Sequence, residues 1–300
     1  MIKKSIIIAL IIAAGVHGQS AGNSGLSFLK LGFGARNIAL ADNGSIMADD
    51  ATALFYNPAN LNLSKGAELF IMHNEWIQDI RSELLGAKFY AFGLPIAVGI
   101  NSTTVSNIEV RQIPGEKETE FNAHYFFGSL STGFTLINDL SFGLTFKYIN
   151  EDILRDYAAG YGLDFGFNYL TPIERLRLSA VLRNVGSMKM LRNESSKLPS
   201  EFRIGVGYSY DLAGYKTVIN VGGELQKYFN YDDLHFNLGA EFVYDNLIAL
   251  RAGYQTFYES KSFTGGIGLA WGSLRLDYAL TPFEYSLGTG HSFSINYKFN

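Results

Sequence analysis

The chain has 300 residues, of which 47% are hydrophobic, 14% aromatic and only 17% charged, against roughly 25% charged in an ordinary soluble domain. A formal net charge of -4 provides no basic stripe for nucleic acid. The absence of cysteine excludes disulfides and thiolate metal sites.

In chain order, Lys3 and Lys4 precede an apolar run from Ile6 to Val16, followed by Gly18, Gln19 and Ser20. This is the layout of a secretory signal, with cleavage expected near Gly18 and a segment spanning 1–18. The run is shorter than the roughly 18 to 20 apolar residues a membrane-crossing helix needs, and no later run is longer. Residues 19–66 differ in texture. Gly32, Gly34, Ala35, Ala39, Ala41 and Gly44 are small, and strict alternation is absent. Asp49 or Asp50 is placed to cap a helical turn through Thr52 to Tyr56, which Pro58 must end because it drives Asn57 out of helical geometry. We read the segment as a plug lying close against surrounding walls.

From residue 67 onward the texture is strand. Leu140, Phe142, Leu144, Phe146 and Tyr148 alternate with Ser141, Gly143, Thr145 and Lys147. Tyr161 to Tyr169, Phe202 to Tyr210, Leu234 to Phe242, Leu274 to Leu280 and Phe293 to Phe299 repeat the pattern. With less regular runs at 67–77, 82–92, 96–104, 120–136, 176–185, 217–225, 247–257 and 263–271, about fourteen strands are expected. Short connections follow even strands and longer polar ones follow odd strands. Tyr148, Tyr169, Tyr210, Tyr244, Trp271 and Phe299 sit at strand ends, where an interfacial aromatic belt belongs. The pattern predicts an all-β fold: a transmembrane antiparallel barrel over 67–300, apolar side out, with both termini on the periplasmic side. The expected location is the outer membrane, with its lipid as the surrounding partner.

Polar positions then face inward. Lys147, Asp164, Arg177, Arg183, Arg203, Glu224, Glu241, Arg251, Arg275 and Asp277 mix both signs, and mutual pairing that holds the plug is the expected use. Arg203 is the residue expected to touch the plug; its acidic partner is open. Gly205, Gly207, Gly265, Gly266 and Gly268, at strand spacing, read as a smooth lumen wall. The five histidines are scattered, and neither a nucleophile elbow nor a phosphate loop occurs. No enzyme activity and no cofactor is expected.

Three blocks in order carry a family resemblance. SFLKLGFGAR at 27–36 and ADDATALFYNPANL at 48–61 form the first two. LRNVGSM at 182–188, followed by LPSEFRIGVGYSY at 198–210, forms the third. Together they resemble the PorV/PorQ family of outer-membrane proteins, which is similar in turn to the FadL-type long-chain fatty-acid channels. The hatch turn of the latter is matched by Asn57, Pro58 and Ala59, with Asn60 where glycine is usual. The PorV/PorQ resemblance implies a non-enzymatic component of type IX protein secretion, a scaffold or shuttle whose partners are secretion components and cargo proteins. The FadL-like resemblance implies the alternative, a channel for hydrophobic small molecules such as long-chain fatty acids. There, a ligand would enter from outside and movement around Asn57 to Asn60 would open the path.

Overall fold

The computed structural model describes residues 26–111, 113, 115–230 and 234–299, so the expected signal segment lies outside the described residues. Sixteen strands occur among the described residues, in chain order. The first eight are β1 (Glu68–Glu75), β2 (Ile80–Ala91), β3 (Leu94–Val110), β4 (Thr119–Ile137), β5 (Leu140–Ile153), β6 (Asp156–Leu170), β7 (Leu176–Met188) and β8 (Met190–Leu191). The others are β9 (Glu194–Ser195), β10 (Glu201–Leu212), β11 (Thr217–Tyr228), β12 (Leu234–Tyr244), β13 (Ile248–Gln255), β14 (Phe263–Trp271), β15 (Leu274–Phe283) and β16 (Gly288–Lys298). All but β8 and β9 join one closed barrel, each strand antiparallel to its sequence neighbours within the wall. The seam pairs β1 with β16, from Glu68 opposite Lys298 to Glu75 opposite His291. Closure gives the last strand a partner and removes the exposed edge it would otherwise present.

Alternation sets the two faces. Phe146, Tyr148, Ile204, Leu250, Ile267 and Phe293 are exposed on the outside, while Lys147, Asp164, Arg203, Glu241 and Asp277 are buried on the inside. The apolar rows are therefore not sandwiched between two sheets; they form the outer surface, as a lipid-facing wall requires.

The tight turns collect at one end. Phe92–Gly93, Asn138–Asp139 and Gly272–Ser273 each bridge a two-residue gap between paired strands. Phe92 and Gly93 both adopt positive φ, 54° and 79°, the conformation of a hairpin turn whose twist matches the strands. At the opposite end, much of what read as long loops is strand. β3 and β4 pair as far as Val110 and Thr119, and the β5–β6 link narrows to Leu154 and Arg155. Polar composition there reflects strands that leave the apolar belt, so polarity alone overstated the loop lengths.

Residues before β1 fold into single turns: a 3-10 turn at Ser27–Lys30, α1 (Ala35–Ala39), α2 (Gly44–Met47), α3 (Ala53–Tyr56) and a 3-10 turn at Pro58–Asn62. Asn57 is extended, with ψ 101°, because a residue before proline is forced out of the helical region. Asp50 rather than Asp49 supports the start of α3, accepting from the Thr52 amide at 2.8 Å. The principal apolar core is shared by this segment and the inner wall.

Candidate functional site

The single turns pave the inner wall in sequence. α1 packs on β13 to β16, α2 on β7, β10 and β11, α3 on β3 and β4, and the Pro58–Asn62 turn on β3 to β6. Short turns with small side chains approach closely only where the wall has no side chains. Gly207, Gly222, Gly239 and Gly253 stand side by side across four strands. A Cβ on them would run into Ile46, Met47, Leu40 and Ala41 respectively. A second row, Gly133, Gly143 and Gly166, crosses β4 to β6 beneath Asn62, Pro58 and Asn57. Gly86 lies opposite Gly99 under Leu54 and Phe55. Of the glycines read as lumen-facing, Gly265 is the exception. It alternates with Thr264 and Gly266 and faces outward, with only the Arg251 carbonyl within 4 Å of its added Cβ.

Charge fixes the same contact. The Arg36 guanidinium of α1 donates Nε and Nη2 to the two Glu241 oxygens, both at 2.9 Å, the forked geometry in which arginine binds carboxylate most strongly. Its Nη1 pairs with Asp49. Arg203 donates to the Asp42 carbonyl at 2.8 Å and pairs with the Asp42 carboxylate at 3.1 Å, Glu201 at 3.1 Å and Glu224 at 3.5 Å. Arg275 pairs with Asp50 of the plug and Asp277 of the wall. Arg251 joins Glu241 at 2.7 Å and Asp277 at 2.8 Å, and Gly268 lies against this pair, where a Cβ would come within 2.6 Å of the guanidinium. Asp42, Asp49 and Asp50 thus bring carboxylates of the segment before β1 to the wall's arginines. Burial opposes ionisation of Asp50, yet Arg275 and Arg36 outweigh it and hold the carboxyl well below the usual range. Burial, together with Asp42, raises the Tyr56 phenol; its hydroxyl donates to Asp42 and accepts the Phe33 amide at 2.8 Å.

The remaining positions separate. Lys147 pairs with Asp164 at 2.7 Å and Arg183 with Glu201 at 2.6 Å. A bulge in β7, where Arg183 and Asn184 together face Asp164, lets the Asn184 amide donate to Asp164 at 2.8 Å. Glu224 accepts the Ile46 amide at 2.9 Å. The Arg177 side chain stands apart, with no hydrogen bond or ion pair among the described residues, although Asp49 and Arg36 act on it electrostatically. Sequence reading missed Glu201, which shares a face with Arg203 two residues away and was open to the same parity argument. It also missed Arg36, Asp42 and the pairing of Asp49 and Asp50, for which irregular turns give no parity.

The Asn57–Asn60 turn is fully buried. Asn57 Nδ2 donates to the Ser45 and Phe167 carbonyls, both at 3.1 Å, while its Oδ1 accepts the Ala59 amide at 3.1 Å. Asn60 Nδ2 donates to the Ser45 and Ala48 carbonyls at 3.1 and 2.9 Å, and its Oδ1 accepts from Asn168 at 2.8 Å. A glycine at 60 would make none of these side-chain bonds.

Toward the end carrying the β3–β4 and β7–β10 loops, an apolar cluster lies inside the barrel. Phe28 stacks on Tyr125 at 5.1 Å and lies 6.2 Å from Phe127; Phe33 meets Phe55 at 5.2 Å. Leu26, Ile149, Met188 and Leu198 complete the cluster. At the tight-turn end a cavity of about 250 Å³ opens, where Arg36, Asp49, Glu241 and Arg275 meet Val218, Val243 and Ile248. Among the described residues no group of His, Asp or Glu could hold a metal ion, and no helix is long and apolar enough to cross a membrane.

No family model matches the chain, and no curated protein matches it. Its fold is found among outer-membrane barrels. The Pseudomonas putida toluene transporter TodX superposes with a TM-score of 0.61 at 12% identity, over 88% of this chain and 96% of that one. The CymD monoaromatic hydrocarbon channel gives 0.60 at 13%, over 90% and 98%. A Pseudomonas aeruginosa FadL homologue gives 0.52 at 11%, over 86% and 96%. These likenesses are of fold, and they side with the FadL-like half of the sequence resemblance; its PorV/PorQ half gains nothing from them.

Proposed function

We propose that the chain is a non-enzymatic outer-membrane barrel of FadL-like architecture that passes small hydrophobic molecules inward from outside. One observation carries this reading: toward the end with the longer connections an apolar cluster of plug and wall side chains gathers inside the barrel, among them Phe28, Tyr125, Phe127, Met188 and Leu198. The cluster is closely packed, with Phe28, Phe127, Met188 and Leu198 all buried, so apolar cargo is held there once the side chains of the leading segment part from those of the wall. The structural neighbours that carry toluene and monoaromatic hydrocarbons support the same class of cargo. The outward apolar rows supply the lipid-facing surface that such a location demands.

The proposed plug is the described part of the segment before β1, and its proposed holding network is the wall set Asp164, Arg177, Arg183, Arg203, Glu224, Glu241, Arg251, Arg275 and Asp277. The test is uptake of labelled toluene and hexadecanoate by a deletion strain with and without the gene restored. Uptake unchanged by deletion for both compounds overturns the reading.

A second reading, a type IX secretion component, is favoured by one observation. The plug is seated on glycine rows and anchored by Arg36–Glu241, Arg203–Asp42 and Arg275–Asp50, which suits a sealed scaffold. Co-purification of secretion components from detergent extract, with normal hydrocarbon uptake in the deletion strain, would move the conclusion to it.

A further inference from the structure

Seven residues at the barrel mouth form a ladder that the ion-paired plug does not explain. Lys30 lies over the Tyr228 ring at 5.2 Å; Tyr228 meets His235 edge-on at 6.1 Å; His235 stacks on Tyr258 at 3.9 Å. Above Tyr258, at 4.7 Å, sits the Lys261 ammonium, which also faces Trp76 at 5.7 Å. Trp76 closes the ladder by meeting Phe283 edge-on at 5.0 Å. The link between β13 and β14 brings Tyr258 inward, where its hydroxyl donates to Gln226 at 3.0 Å.

The unusual member is Lys261. The buried cations Arg36, Lys147, Arg183, Arg203, Arg251 and Arg275 each pair with a carboxylate. Lys261 has only two ring faces and no hydrogen bond or ion pair among the described residues. Ring faces attract an ammonium weakly, by far less than its lost hydration. Burial pushes its pKa down, against a pull upward from Asp42. A half-buried cation of this kind is completed by an anion, and the rings beside it restrict which anion fits.

Resting on the transport reading, we propose that this mouth is a binding site for aromatic carboxylates, the carboxylate accepting from the Lys261 ammonium and the ring packing among Trp76, Tyr258 and Phe283. The site thereby selects an acid over the neutral hydrocarbons named for the structural neighbours. A charge-assisted hydrogen bond from a half-buried ammonium is the strong kind. Aromatic walls prefer offset or edge-on partners of their own shape.

The chain carries its own reporter. Its two tryptophans are Trp76, in contact with Lys261 and Phe283, and Trp271, exposed on the outer wall at the other end. In a Trp271→Phe background, purified in detergent, Trp76 fluorescence is titrated with benzoate, toluene and inorganic phosphate. The expected result is a saturable benzoate response, weakened about tenfold or more by Lys261→Met and retained by Lys261→Arg. Toluene and phosphate should each bind at least about tenfold more weakly than benzoate, and added salt should weaken benzoate but leave toluene unchanged. A benzoate curve identical in parent and Lys261→Met, or phosphate competing as well as benzoate, overturns the proposal. If toluene uptake in cells depends on the protein while benzoate titration ignores Lys261, the carboxylate site falls and the transport reading stands. If benzoate binds through Lys261 and no compound is taken up, the transport reading falls.

Discussion

Glu241 is where the plug and wall networks meet, so its neutralisation measures what the anchoring is worth. Its carboxylate accepts from Arg36 twice, from Arg251 at 2.7 Å and from Asn220 at 2.9 Å. In Glu241→Gln the shape survives but the charge is lost. Arg36 keeps Asp49 and Arg251 keeps Asp277. Removing one partner of a buried pair costs about 3 to 5 kcal/mol, and the acids that remain place this case near the lower end, about 3 kcal/mol. Because Arg36 belongs to α1 and the wall strands keep their ladder bonds, the loss should fall on seating of the plug and not on barrel closure. About 3 kcal/mol raises the unseated population on the order of a hundredfold. Arg36 is 8% exposed, so trypsin cleaves after it only when the plug opens. When reclosing outpaces cleavage, the cleavage rate follows that population. The expected outcome is cleavage after Arg36 on the order of a hundredfold faster, with heat-modifiable gel mobility unchanged. Cleavage within about threefold of the parent, or an equal loss of barrel stability, would refute the argument.

Gly143→Ala places a methyl against the Pro58 and Ala59 backbone and should cost about 1 to 3 kcal/mol. Gly265→Ala, on the outer face, should be nearly neutral in the same thermal melt. Leu250→Arg, on the outward face at 54% exposure, should destabilise refolding into bilayers by up to about 2 to 4 kcal/mol if the wall faces hydrocarbon; no penalty in a vesicle-refolding titration would contradict the lipid-facing assignment. Asp50 is held below its unfolded pKa, so its contribution is complete above that value and is lost as pH falls. The thermal midpoint of plug release should therefore be insensitive to this group from pH 8 to about 5 and should drop below about pH 4. A midpoint that rises on acidification would contradict the sign.

Period-two alternation needs only the chain, and it fixed most of the barrel. Four greasy positions from Phe293 to Phe299 with polar neighbours between them could stand only as a strand with an apolar side, and fourteen such runs had to close or leave an edge. Alternation also gave the inward face of Arg203, Glu241, Arg251 and Asp277, because a side chain's face depends on its count along the strand.

Partners across the lumen depend on how strands wrap and on where irregular turns come to rest. Glu241 and Arg36 are 205 positions apart, and no periodicity joins a strand to a single turn of helix. For the same reason Asp42 as a partner of Arg203, the alignment of separate glycines into rows, and the meeting of Trp76, Tyr258 and Lys261 are products of tertiary structure. Local pattern decides which way each side chain points; only closure of the wall around the leading segment decides what it meets.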